Sequence, residues 1–141
     1  MGRSQNMGIR RNMYGLPDGS KIFFQMNSYS LEDFTRGWFI GDFEPSLHKT
    51  RGFEIAVQRF NSGDKEAEHV HRIATEFTVI VSGKVRMNDE VYTAGDIIEI
   101  PSGKSASFEA IEDTVTTVVK IPCAPGDKYM VKGSQQGEIN S

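Results

Sequence analysis

Short runs of β-forming residues, broken by turn residues roughly every 8–12 positions, dominate the chain after residue 50. Residues 53–60, 77–81, 97–100 and 115–121 are rich in Val, Ile, Phe and Thr and are read as strands. Turn signals separate them at Asn61-Ser-Gly-Asp64, Ser82-Gly83, Asn88-Asp89, Ala94-Gly95-Asp96 and Pro101-Ser-Gly103. No stretch after residue 50 holds a 3.6-residue apolar stripe for three turns. The pattern therefore predicts an all-β antiparallel sandwich or barrel. Ser30-Leu-Glu-Asp33 has the form of a capping box with Asp in place of Glu, which predicts one short helical turn.

The totals narrow what such a barrel does. A length of 141 residues suits one domain, and 16 Lys+Arg against 19 Asp+Glu leave a formal charge of −3. That mixed, mildly acidic balance points away from nucleic acid and anionic membranes. No apolar run approaches the roughly 18 residues of a membrane span. Cys123 is the one cysteine, which excludes an intrachain disulfide framework and any multi-cysteine zinc site. The expected organisation is a flexible arm over residues 1–20, a single domain over 21–132 and a flexible tail over 133–141. The arm is rich in Arg and Gly and has no apolar core of a secretory signal, so a cytoplasmic protein is expected.

The candidate chemistry lies between Gly63 and Gly83. His69 and His71 are two apart, so on a strand both imidazoles project from one face. Glu76 follows after four residues, enough to turn and begin an antiparallel neighbour, with Thr78 and Ile80 on its face. Two imidazoles and a carboxylate converging there form a mixed nitrogen and oxygen donor set. It suits a divalent metal ion such as Fe, Mn, Ni, Zn or Cu, without distinguishing among them.

These residues resemble a known family. Gly63-x5-His69-x-His71-x4-Glu76-x6-Gly83 matches the first signature motif of the cupin superfamily at every fixed position. Gly95, Pro101 and Gly103 match the start of the second motif, but Ala106 and Ala110 stand where its histidine and asparagine belong. The resemblance covers roughly residues 50–121. It implies a small single-domain, RmlC-like cupin, an antiparallel double-stranded β-helix or jelly-roll barrel with the metal inside. It also implies a homodimer pairing through outer sheet faces, for which the apolar run Trp38-Phe39-Ile40 is the candidate contact.

With Ala106 unable to coordinate, the resemblance leaves His69, His71 and Glu76, a facial set with open positions. Inward alternation would add Phe108 and Ala110 to an apolar wall. Two functions are compatible with this. One is a metal-dependent enzyme of oxygenase or isomerase type acting on a small polar molecule. The other is a non-catalytic module or sensor that binds a metal or small ligand. Thr78, Gln58 and Glu68 are the candidates for an acid or base beside the site. His48 is expected on the surface, Cys123 as a buried inert thiol, and Met26, Met87 and Met130 as packing residues. Trp38, Phe39 and Phe43 are expected in the core or an interface, and Arg51, Arg59 and Arg72 as solvated charges.

Overall fold

The structure, a computed structural model, describes residues 9–15 and 21–131. Twelve strands lie among the described residues. Ten of them build two facing five-stranded sheets, in the orders β12-β5-β10-β7-β8 and β3-β4-β11-β6-β9. The first sheet contains β5 (Lys65–Val70), β7 (Lys84–Met87), β8 (Glu90–Thr93), β10 (Ser105–Ala110) and β12 (Tyr129–Met130). The second contains β3 (Trp38–Ile40), β4 (Glu54–Phe60), β6 (Thr75–Ser82), β9 (Ile97–Ile100) and β11 (Thr114–Ile121). Every pairing is antiparallel, and from β4 to β12 the chain crosses between the sheets at each step except the β7–β8 hairpin, as in a jelly roll.

The four strands expected from the sequence are present, each within two residues of its expected bounds. The turn at Asn88 and Asp89 has φ of 48° and 68°, the double left-handed step that joins β7 tightly to β8. Gly83, φ 96°, has no alternative residue: a Cβ there would lie 2.3 Å from Thr114 Oγ1. Residues Leu31–Asp33 form a single 3-10 turn starting after Ser30. Its hydroxyl bonds the Glu32 carboxylate at 3.0 Å instead of a backbone N–H, so the turn forms without the reciprocal cap. Within the expected N-terminal arm, β1 (Ile9–Gly15) pairs with β2 (Lys21–Asn27). The other arm positions and the tail from residue 133 lie outside the described residues.

Period-two alternation divides the barrel interior into two ends. Ile80, Val85, Met87, Ile100, Ala106, Phe108 and Ala110 form one buried apolar cluster, with Phe60, Tyr92 and Ile98 packed against it. The rings of Phe60 and Phe108 meet with centroids 4.5 Å apart. Each large side chain buried here contributes roughly 1.5–3 kcal/mol of transfer free energy, so this end holds the barrel together without help from the polar groups above it. Starting beside Ile100 at the edge of that cluster, a row of inward charged positions runs across the second sheet: Glu76, Lys120 and Glu54 sit opposite one another on β6, β11 and β4. The outer face of the same sheet is apolar, with Val81 and Ile97 exposed on it.

Candidate metal centre

β5 ends one residue before His71, and β6 begins one residue before Glu76, so the link between them presents both side chains to the interior. Asp127 fixes that link. Its carboxylate accepts backbone N–H groups from Arg72 at 2.9 Å, Ile73 at 3.0 Å and Ala74 at 2.9 Å. Its main-chain carbonyl accepts from His71 Nδ1, and Gly103 N–H donates to the His71 carbonyl at 2.7 Å. The three N–H bonds hold the Asp127 carboxyl below its usual range, outweighing the larger single effect of burial, which pushes it up.

A carbonyl only accepts, so His71 Nδ1 carries a proton, and in the neutral ring the lone pair is at Nε2. That Nε2 is buried and has no hydrogen-bond partner among the described residues. It faces Glu76 Oε1 at 3.6 Å. His69 repeats the arrangement: Nδ1 lies 3.0 Å from the Ala67 carbonyl, leaving Nε2 free to coordinate. The two rings stand edge-on, with centroids 5.1 Å apart. Burial, then the charge on Lys128, hold His69 below its usual range against the pull of the Ala67 carbonyl, so its ring is neutral at pH 7. Burial pushes Glu76 up, but His71, Lys120 and a 2.9 Å bond from Thr78 Oγ1 together keep it below the usual range and ionised.

The donor chemistry thus fits a divalent cation: two imidazoles, each with Nδ1 held by a backbone carbonyl and Nε2 left over, and one carboxylate held by Thr78. Two donors bound to one ion at about 2.1 Å stand about 3.0–3.4 Å apart, and the His71–Glu76 separation of 3.6 Å is only slightly wider. Among the described residues, however, no three His, Cys, Asp or Glu side chains close into a metal-holding cluster. His71 and Glu76 are brought together; His69 lines the same cavity with its ring turned edge-on.

That cavity has a volume of about 520 Å³. A register shift in the β5–β10 pairing shapes it. Ala106 opposes His69, but Phe108 opposes Glu66, so two steps on β10 face three on β5. Glu66 and His69 therefore both line the cavity. Arg36 lines it too, held at a left-handed φ of 52° while Gln58 Nε2 donates to its carbonyl at 3.0 Å. Its guanidinium reaches Glu66 at 3.4 Å. Gly37 follows at φ 80°, where a Cβ would lie 1.8 Å from the Val57 carbonyl oxygen. On β11, Lys120 Nζ lies 3.5 Å from Glu54 and 4.8 Å from the centroid of Trp38.

No protein-family model matches the chain, and no curated protein does. Solved structures do. A double-stranded β-helix domain protein from Klebsiella pneumoniae subsp. pneumoniae is similar with TM-score 0.58 and 18% identity, covering 74% of this chain and 90% of that one. An RmlC-like cupin from Shewanella frigidimarina is similar with TM-score 0.51 and 21% identity, over 55% of this chain and 72% of that one. This chain has the cupin fold. The polyketide cyclase RemF from Streptomyces resistomycificus shares it with TM-score 0.51 and 18% identity, over 58% and 62% of the two chains. The fold is thus one that enzymes also use.

The geometry of the barrel sorts the remaining expectations. Ala106, Phe108 and Ala110 are buried and point inward, as alternation predicts. His48 is exposed and lies outside the cavity lining. Thr78 and Gln58 line the cavity, whereas Glu68 lies outside that lining and accepts from Ser105 Oγ at 2.6 Å. Cys123 is buried, donates to Glu54 at 3.0 Å and has its thiol pushed up to about 11 by burial. Met87 packs in the core, but Met26 is exposed and Met130 is a partly exposed cavity residue. Trp38 and Phe43 line the cupin cavity, so Trp38 is not available as the outer contact its apolar neighbours suggested. Arg51 pairs with Asp42 at 2.7 Å, Arg59 reaches Glu32 at 3.9 Å, and Arg72 stacks on Tyr129 at 3.9 Å. None of the three lines the cavity. Sequence reasoning missed Asp127, Lys120, Glu54, Arg36, Glu66 and Lys128. Lys120 and Glu54 had a visible signal, the inward alternation of 114–120 and of 54–60.

Replacing Asp127 with Ala should cost roughly 2–3 kcal/mol at neutral pH, because backbone donors, including that of buried Ala74, lose their acceptor. A carboxyl depressed in the folded state stabilises above its unfolded pKa and loses that contribution as the pH falls through its folded value. Urea unfolding should therefore show the gap between wild type and D127A narrowing below about pH 4; a gap independent of pH would contradict this role.

Proposed function

We propose that the protein is a cupin that holds one divalent metal ion through His69, His71 and Glu76 and uses it to act on a small molecule in the barrel. The observation that carries this reading is the buried, unpartnered Nε2 of His71 beside an ionised Glu76. A buried acceptor left without a partner costs about 1–3 kcal/mol, and a bound cation removes that cost. Once bound, such an ion polarises a substrate oxygen or activates O₂ or water, the chemistry of oxygenases and isomerases. The chain's own residues supply the rest. The Ala67 and Asp127 carbonyls fix both imidazole tautomers, Thr78 orients Glu76, and Lys120 balances the negative charge of Glu76 and Glu54. Ala106, directly opposite His69, leaves a coordination position open.

The second reading, a non-catalytic module or sensor, draws on a different observation. Among the described cavity residues, Glu54 pairs with Lys120, Glu66 with Arg36, and Glu76 accepts from Thr78, so none of the three stands ready as a free general base. Turnover by the metal-loaded protein in a screen of small oxygenase and isomerase substrates would favour the enzyme; tight ligand binding without turnover would favour the module.

Chelator competition with Zn(II) and Mn(II) tests the metal site. Wild type should bind one ion, and His71→Ala should lose most of the affinity while still folding on its apolar core. Ala106→His should tighten binding by one to two orders of magnitude, about 1.4–2.8 kcal/mol. No binding by either wild type or A106H would overturn the reading. The homodimer expected for this protein would use the outer face around Val81 and Ile97. Light scattering at micromolar concentration should give twice the 15.7 kDa chain mass; a monomer mass would exclude it.

A further inference from the structure

The charges lining the cavity are unequally satisfied. Among its acids, Asp42 pairs with Arg51 at 2.7 Å and Glu44 with Lys49. Deeper in, Glu54 pairs with Lys120 at 3.5 Å and Glu66 with Arg36 at 3.4 Å, and Glu76 accepts from Thr78 Oγ1 at 2.9 Å. Asp127 is held by backbone N–H groups. Two lining cations have no carboxylate within 4 Å among the described residues, Lys104 and Lys128. Lys104 is exposed and solvated, but Lys128 is half-buried. A half-buried ammonium without a counter-ion, in a chamber whose other deep charges are paired, is a recognition group for an incoming anion.

The surroundings restrict which anion. Lys128 shares the cavity with Glu66 and Glu76, and with Lys120 and Arg36 that partly offset them, so the two carboxylates repel a dianion such as phosphate about twice as strongly as a single negative charge. Trp38 lies over Lys120 at the charged row, and the lining also includes the apolar side chains of Phe60, Met87 and Phe108. Thr116 Oγ1, also on the lining, is buried without a hydrogen-bond partner. We propose that the cavity takes a small monocarboxylic acid with an apolar or aromatic body, its carboxylate bound by Lys128 and its body packed among Trp38, Phe60 and Phe108. This names the substrate class of the cavity and rests on its reading as the working site.

Trp38 is the chain's single tryptophan and lines this cavity, so its fluorescence reports binding directly. The full chain as purified would be titrated with 3-phenylpropionate, with its neutral isostere 3-phenylpropanamide and with inorganic phosphate. The acid should give a saturable change, at least tenfold tighter than the amide, and phosphate should give none. Lys128→Gln should weaken the acid at least tenfold and leave the amide unchanged, which a general loss of structure would not do. Equal affinity for acid and amide, no saturable response to the acid, or unchanged acid binding by K128Q would each overturn the proposal. Saturable binding of phosphate would overturn the monoanion class. A separate Zn(II) titration keeps the two claims apart: failure to bind zinc removes the metal reading while the carboxylate result stands or falls by itself.

Discussion

The clamp that Asp127 places on the link between β5 and β6 is the interaction on which the site depends. One residue ties three consecutive backbone N–H groups through its carboxylate and the imidazole of His71 through its carbonyl. Without it, the link would be free to rotate the His71 ring, and the spacing between His71 and Glu76 would be set by a loop instead of a fixed turn. The apolar cluster at the opposite end of the barrel secures the strands. The clamp converts that rigid frame into a fixed tautomer, a fixed ring direction and a buried lone pair.

Much of this was legible in the sequence because it follows from period two. The alternation of Glu76, Thr78 and Ile80, and of Ala106, Phe108 and Ala110, fixes which side chains enter the barrel, and the strands containing them pair as alternation requires. What alternation does not reveal is a break in its own register. The bulge in β5 brings Glu66 to the same wall as His69, and no local residue in Lys65–Val70 announces it. Nor does sequence separation show that Asp127, 56 positions from His71, returns to it. Arg36 is hidden for a similar reason. Its inward direction comes from a left-handed backbone held by Gln58, a contact between segments 22 residues apart.

The interior charges give the cavity a second layer of meaning. Lys120 stands between Glu54 and Glu76 in register and beneath the Trp38 ring, so it screens two carboxylates in a space too dry to hold them unpaired. Arg36 does the same for Glu66. The row therefore resembles a lattice of balanced charges from which two features stand out: a histidine lone pair without a donor, and an ammonium without a carboxylate. These call for opposite partners, a cation and an anion, inside one chamber lined elsewhere by aromatic rings. An anion drawn to Lys128 would share a single chamber with His69, His71 and Glu76.

Diffraction from crystals soaked in Zn(II), recorded on both sides of the zinc absorption edge, tests the central claim most directly. The account predicts one anomalous peak inside the barrel within bonding distance, about 2.0–2.2 Å, of His69 Nε2, His71 Nε2 and a Glu76 carboxylate oxygen. A fully occupied zinc site elsewhere with none between these three residues, or no peak at all, would contradict it.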